Sequence, residues 1–576
     1  MPMHPKTLLL AATASLSFAP SGLKLSAAPY ASAVKNEAGT VSFILNEAAD
    51  LVSVKFEDAT RTDLGPKAAG THTFPLGAHT SFEIIVEKVA GPGWRDGVLQ
   101  QISDDANPLV DLYNQKGLAI NRNPASPYFG RVYSSVSATA TTAKGRALSD
   151  GIYVLNADLS ATALGQNALT GGITWDSSAT ATASPYRLSI GEDDKVYITD
   201  WSDSMGSVYV ADPDINAATN ILPGPFSLNA PIGEEAFHGS IAAAIATGTQ
   251  AAGDLALFVV DEDLQDDRTT PTLTQVNSVW RWDAGSSLPI GEEMFPPQRL
   301  LTHQINFVSQ LCDLAVDKQG YLYKSQRRTR GVEAGVTVID RDGNLITNTK
   351  TEWINYNLAL PEPTFTATVD TFMETGAIAI SDDGWLASLI HATTTAEDSR
   401  IPLPANAIQL VKIITDEVTQ LPQFDFTQHL IIPTGLNLTG ANERGRSIAF
   451  DAAGNIYASN GASVAPGQGL LRVYAPGGHT IATTSSAGAF SIETLSPQPS
   501  GEAPVIGAVS LEGTTLSIAF SANEGIPESF AVEKSTALKE GEWSTETAAG
   551  ISGSAPLFTA TITISGAEQF YRIKRL

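Results

Sequence analysis

Among 576 residues there is a single cysteine, Cys312, and one thiol excludes an intramolecular disulfide framework. It opens a predicted inner strand with no basic neighbour in sequence, so an inert buried thiol is favoured over a nucleophile. Charge is also sparse, at 17%, and basic residues are the scarcer sign: 35 against 61 acidic, a formal charge of −26. Such a surface repels phosphate backbones and excludes nucleic acid as an expected partner. It suits solubility outside a cell, or a divalent cation. Long apolar runs are missing. The run Leu8–Ala19, behind His4 and Lys6, is too short to span a bilayer, and Ala31-Ser32-Ala33 has the small-x-small form of a cleavage site. Residues 1–33 are therefore expected to be a signal peptide, an earlier cut near Ala27 or Ala28 being disfavoured by Pro29. The mature chain is expected to be secreted or held at a cell surface, without a transmembrane segment. No HExxH, Gly-x-Ser-x-Gly or phosphate loop occurs, which leaves zinc-peptidase, serine-hydrolase and nucleotide chemistry without support.

What the chain has in quantity is glycine, 48 residues, and a recurring cassette. In RSIAFDAAGNIYAS, Arg446–Ser459, two short apolar strands flank an Asp/Gly turn, a hairpin signal. An apolar–small–apolar triplet heads each copy, at Leu118, Leu188, Ile241, Leu314, Ile378 and Ile448, spaced by 70, 53, 73, 64 and 70 residues. Each is followed by two further strand-like segments and a turn. A single three- or four-stranded sheet cannot bury both faces, and six such copies predict a six-bladed β-propeller over residues 117–497. The small middle residue is expected where inner strands crowd together. Strand patterns at 34–90 and 505–576 predict two small β-sandwich domains, joined through linkers at 91–116 and 498–504. The predicted fold class is all-β. The strand-like segments Phe490–Glu493 and Leu109–Tyr113 are alternatives for completing the last blade.

Three resemblances follow from these residues. SIAFDAAGNIYASN at 447–460, RLSIGEDDKVYITDW at 187–201 and GLAINRNPASPYFGRVYSS at 117–135 resemble NHL-repeat and gluconolactonase/regucalcin-like propellers. The Leu45-Asn46-Glu47-Ala48-Ala49 turn with Val52, Val54 and Phe56 resembles the immunoglobulin-like domain of flagellar hook-capping proteins. There Phe74-Pro75-Leu76-Gly77 stands in place of that family's Trp-Asp-Gly. Glu533–Leu538 with Phe570–Arg572 resembles the fibronectin-III-like module ending exported bacterial proteins. The basic end Arg572, Lys574, Arg575 reads as a solvated strand edge in preference to a sorting feature.

These resemblances imply a bacterial exported binding protein with the propeller as platform for a protein or carbohydrate ligand. The alternative they imply is a metal-dependent hydrolase of gluconolactonase/regucalcin type, acting on a small lactone or ester with one divalent cation, calcium being the candidate. Inner strands begin, and second strands end, at one face, so Arg187, Asp200, His238, Asp261, Asp313, Gln326, Glu374, His391, Arg446 and Asn460 are the expected ligand-binding mouth. His238, Glu374 and Arg446 are expected to point into one pocket. The acidic run Asp261-Glu262-Asp263 with Asp266-Asp267 reads as a solvated loop before a calcium site, since it lacks EF-hand spacing. The basic run Gln326–Arg330 reads as a salt-bridged loop before an anion site. Asp342-Gly343-Asn344, Asp382-Asp383-Gly384 and Glu192-Asp193-Asp194 read as backbone turns without a ligand role.

Overall fold

A computed structural model describes residues 28–142, 144–162, 164, 184–201, 207–222, 241–261, 278–294, 297–301, 313–326, 335–359, 375–390, 407–434, 443–462, 470–495, 505–512, 515–521, 530–535, 544–546, 549–554, 557–563 and 570–575. The chain divides into two units, Met1–Thr494 and Leu495–Leu576. Both are built of small antiparallel sheets, and the class is all-β. Among the described residues no helix is long and apolar enough to cross a membrane.

Six sheets succeed one another along the first unit. Their first strands are Gln115–Ile120, Leu188–Ile190, Ile241–Thr247, Leu314–Val316, Thr375–Ile380 and Glu443–Phe450. Each pairs with the strand after it, through a tight turn in the second, fourth, fifth and sixth sheets and through the longer loops 121–131 and 248–254 in the first and third. The fourth and sixth show the chemistry of the tight turns. Asp317 Oδ1 accepts the N–H of Gln319 and Tyr321 at 2.9 and 3.0 Å, and Asp451 Oδ1 accepts those of Ala453 and Asn455, both at 2.9 Å. The chain then reverses at Gly320 and Gly454, whose φ of +88° and +83° a β-carbon would oppose. This is why Asp and Gly recur at fixed places in the cassette.

The small middle residue has a specific partner. Directly across the hairpin, Ala119 faces Tyr133, Ser189 faces Tyr197, Ala315 faces Tyr323 and Ala449 faces Tyr457. Opposed residues of an antiparallel pair lie on one face, and these four tyrosines are buried. Alanine or serine therefore leaves room for a ring. In the third sheet the residue aligned with the others is Ala246, paired with Leu257, so the third triplet is Ile245-Ala246-Thr247 and not Ile241-Ala242-Ala243. The strand reads IAAAIAT, and an unbroken run of small and aliphatic residues does not reveal its own register.

The first strand of each sheet lies against that of the next, and the sixth lies against the first. The sheets are not hydrogen-bonded into one closed sheet. The sixth is completed from the N-terminal side: Gln100–Gln101 pairs with Tyr474 and Ala475, and Asp111, within the expected segment Leu109–Tyr113, makes a single bridge to Leu470, whereas Phe490–Glu493 belongs to another sheet. The stretch 91–116 is accordingly packed and not a free linker: Trp94, Val110 and Leu112 are buried, and Trp94 Nε1 donates to the Gly454 carbonyl at 2.9 Å.

Two further sheets combine strands that precede and that follow these six. One layer is Ala31–Glu37, Thr40–Leu45 and Gly70–Pro75. The other runs Phe490–Leu495, Gly477–Ser485, Phe82–Pro92, Ala49–Phe56 and Arg61–Lys67. The segment after the sixth sheet thus returns to the N-terminal layer. Its core of Val41, Phe43, Val54, Ile84 and Val86 continues into Phe129 and Ala453 of the six-sheet body. The second unit pairs a four-stranded and a three-stranded sheet over Phe520, Phe530 and Phe558, and its last strand, Phe570–Arg575, is an edge.

Candidate functional site

Where the six first strands begin, four of them carry a one-residue irregularity in register, at Lys116, Ala242, Gly376 and Arg446. A bulge turns the extra residue out of the ladder and frees its peptide group. The freed carbonyls of Lys116, Gly376 and Arg446 accept from one side chain, Arg187, which stands just ahead of the second sheet: Nη1 donates to Lys116 O at 3.0 Å and to Arg446 O, and Nη2 to Gly376 O. Asp313, ahead of the fourth sheet, lies 4.0 Å from Arg187 Nε and accepts the N–H groups of Leu314 and Ile378, each at 3.1 Å. One guanidinium therefore ties the second sheet to the first, fourth, fifth and sixth. Burial pushes the Asp313 carboxyl above its ordinary range, while Arg187 and the two N–H groups pull it back.

Of the expected mouth, Arg187, Asp313 and Arg446 come together here, Arg446 through its backbone. Asp200 and Asp261 are buried at the ends of their second strands, and Asp200 accepts from the Ser184 hydroxyl. Gln326 and Asn460 stand opposite Gly335 and Gly445 in their ladders. His238, Glu374 and His391 lie outside the described residues, as do Cys312, most of the acidic run after Asp261 and the basic run after Gln326. Among the described residues no group of three His, Cys, Asp or Glu side chains gathers to hold a metal ion.

At the opposite end, where the first strands run into their turns, the same six strands surround a cavity of about 490 Å³. Each is the edge strand of its sheet, so peptide groups with no ladder partner border the space. The Ser189 hydroxyl, in the wall, has no hydrogen-bond partner among the described residues. The rim is made by the second residue of three turns, Arg122, Glu192 and Asp382. Arg122 Nη1 donates to the Ile380 carbonyl at 2.8 Å and stands 3.7 Å from Asp382 Oδ1, while Glu192 Oε1 accepts the Gly248 N–H at 3.0 Å. Sequence reasoning set Glu192 and Asp382 aside as turn residues. Their signal was positional: the variable second place of an otherwise fixed turn.

A buried polar cluster joins the N-terminal segment to the sixth sheet. Asn455 accepts the Ala28 N–H at 3.3 Å and donates to Asp451 Oδ2 at 2.7 Å, and the Tyr30 and Tyr457 side chains lie beside that carboxyl. Full burial pushes the Asp451 carboxyl up to about 7 against the pull of its hydrogen bonds.

No family model matches the chain, and no curated protein is significantly similar to it.

Proposed function

We propose that the six sheets are blades of a six-bladed β-propeller in an exported binding protein, with small sandwich domains as spacers, and that its ligand sits in the central cavity, approached from the turns. The observation that carries this reading is the cavity itself, bordered by all six first strands and blocked at its other end by Arg187. A blind cup of this size, with peptide groups lacking ladder partners in its wall, is built to take up polar atoms. Nothing described favours the hydrolase alternative, for which a ligand set would have to gather.

Export bears on where the mature chain begins. Tyr30, Ala31 and Ser32 are buried, and Tyr30 N–H donates to Asn46 Oδ1 at 2.8 Å. Loss of residues through Ala33 would strip this edge from the sandwich, so processing at or before Ala28 fits the fold better than the cut expected after Ala33. Mass spectrometry of the mature protein should find a first residue no later than Ala28; a chain starting at Val34 would refute this.

The binding reading is tested on the whole mature chain by screening glycans and peptides, then repeating with Ala379→Phe. Ala379 is half-buried in the cup wall and faces Ala387, so a ring there occupies the space. Because Ala379 also packs against the core between the fifth and sixth sheets, the variant should lose stability as other inner-triplet replacements do, and ligands bound by the parent but released by the still-folded variant support the cup. Ligands unaffected by it place binding elsewhere.

A further inference from the structure

Resting on that reading, we infer that the cup takes a cationic group, a guanidinium or a primary ammonium, carried by a small molecule or by a basic side chain of a peptide. The molecule already shows what its inner peptide edges accept. At the blocked end three backbone carbonyls converge on the Arg187 guanidinium, and at the rim a fourth, Ile380 O, takes the Arg122 guanidinium at 2.8 Å. Between these two points the same strands continue with the same free edge, so further carbonyls border the cavity. An edge also offers N–H donors, which an anion would prefer. The rim decides between them. Arg122 is matched by Asp382, 3.7 Å away, whereas Glu192, an exposed carboxylate, accepts a single N–H from Gly248 and is in no ion pair among the described residues. One negative charge is therefore in excess at the opening. Across the whole chain the formal charge of −26 adds long-range attraction for cations and repulsion for anions.

The test is calorimetric titration of the full mature protein at physiological salt with n-butylguanidinium, its neutral isostere n-butylurea, n-butyrate, and a capped Gly-Arg-Gly peptide. The expected order is butylguanidinium at least tenfold tighter than butylurea, with butyrate not bound. Glu192→Gln, a surface change remote from the core, should weaken the cation five- to tenfold and leave butylurea unmoved. Binding of the small cation identifies a small-molecule source. Binding of the peptide alone identifies a partner side chain, and either result supports the inference. Where the small cation binds, equal affinity for butylguanidinium and butylurea overturns the inference; so does the absence of any response to Glu192→Gln by whichever cation binds, or no binding by either cation. A neutral ligand displaced by Ala379→Phe would sink the cation while leaving the binding cup intact.

Discussion

The two ends of the central passage are made by the same six strands and behave oppositely. Where the strands begin, bulges at Lys116, Gly376 and Arg446 turn carbonyls inward and Arg187 gathers them, so polarity there is consumed in holding sheets together. Where the strands end, pairing is regular, the Asp/Gly turns satisfy their own backbone, and the space between remains open. Buried charge at the first end serves cohesion, and half-exposed charge at the second is free to meet a ligand. A cluster of polar residues on an axis is thus no sign of a binding site until its partners have been counted.

The comparison breaks most directly at Arg187. Arg187→Met should destabilise the first unit by about 3–5 kcal/mol, because it strands Asp313 as a buried charge and leaves three carbonyls without a donor. Chemical denaturation would show this, and adding Asp313→Asn should recover part of the loss. If Arg187→Met unfolds like the parent, the hub assignment fails.

A second prediction concerns pH and the sixth sheet. The folded-state pKa of Asp451, about 7, lies above its unfolded value of about 3.9. The group therefore favours folding most below about pH 4, and that contribution is lost as pH rises toward 7. The limiting slope is about 1.4 kcal/mol per pH unit. Asp451→Asn should remove this component at a pH-independent cost. Between pH 5 and pH 7.5 the parent should lose stability relative to the variant; an unchanged difference between the two would refute the assignment.

Ala449→Leu and Ala315→Leu sharpen the account of the inner triplets. Each forces a branched chain against a buried ring, Tyr457 or Tyr323, and overpacking of this kind costs about 1–3 kcal/mol. Pairing Ala449→Leu with Tyr457→Phe should not restore stability, whereas Tyr457→Leu should restore part of it. Thermal melting of the four proteins separates these outcomes. The smallest effect belongs to the open end. Arg122→Ala removes a half-exposed bond to Ile380 O and a 3.7 Å ion pair with Asp382, so a stability loss of about 1 kcal/mol or less is expected. Lysine there should retain part of it. A loss as large as that of Arg187→Met would show that both ends are structural.

Much of this molecule was written locally. The strands, the Asp/Gly turns and the repeated pairing of a small residue with an aromatic one are fixed within about a dozen residues, as in IAFDAAGNIY at 448–457. Steric and hydrogen-bonding rules at that range leave little choice. Where local pattern was uniform, as in Ile241–Thr247, register had to be supplied by the partner strand. Tertiary structure alone decided that Gln100–Gln101 completes the sixth sheet and that Gly477–Ser485 joins the sheet of Phe82–Pro92. An edge strand accepts any suitable backbone, and which one arrives depends on distant chain geometry. The same holds for the site. The sequence placed Arg187, Asp313 and Arg446 at one level, but the carbonyls that engage Arg187 belong to the backbone and come from positions up to 259 residues away. Side-chain identity cannot encode such contacts, because only the assembled strands bring those peptide groups to one point.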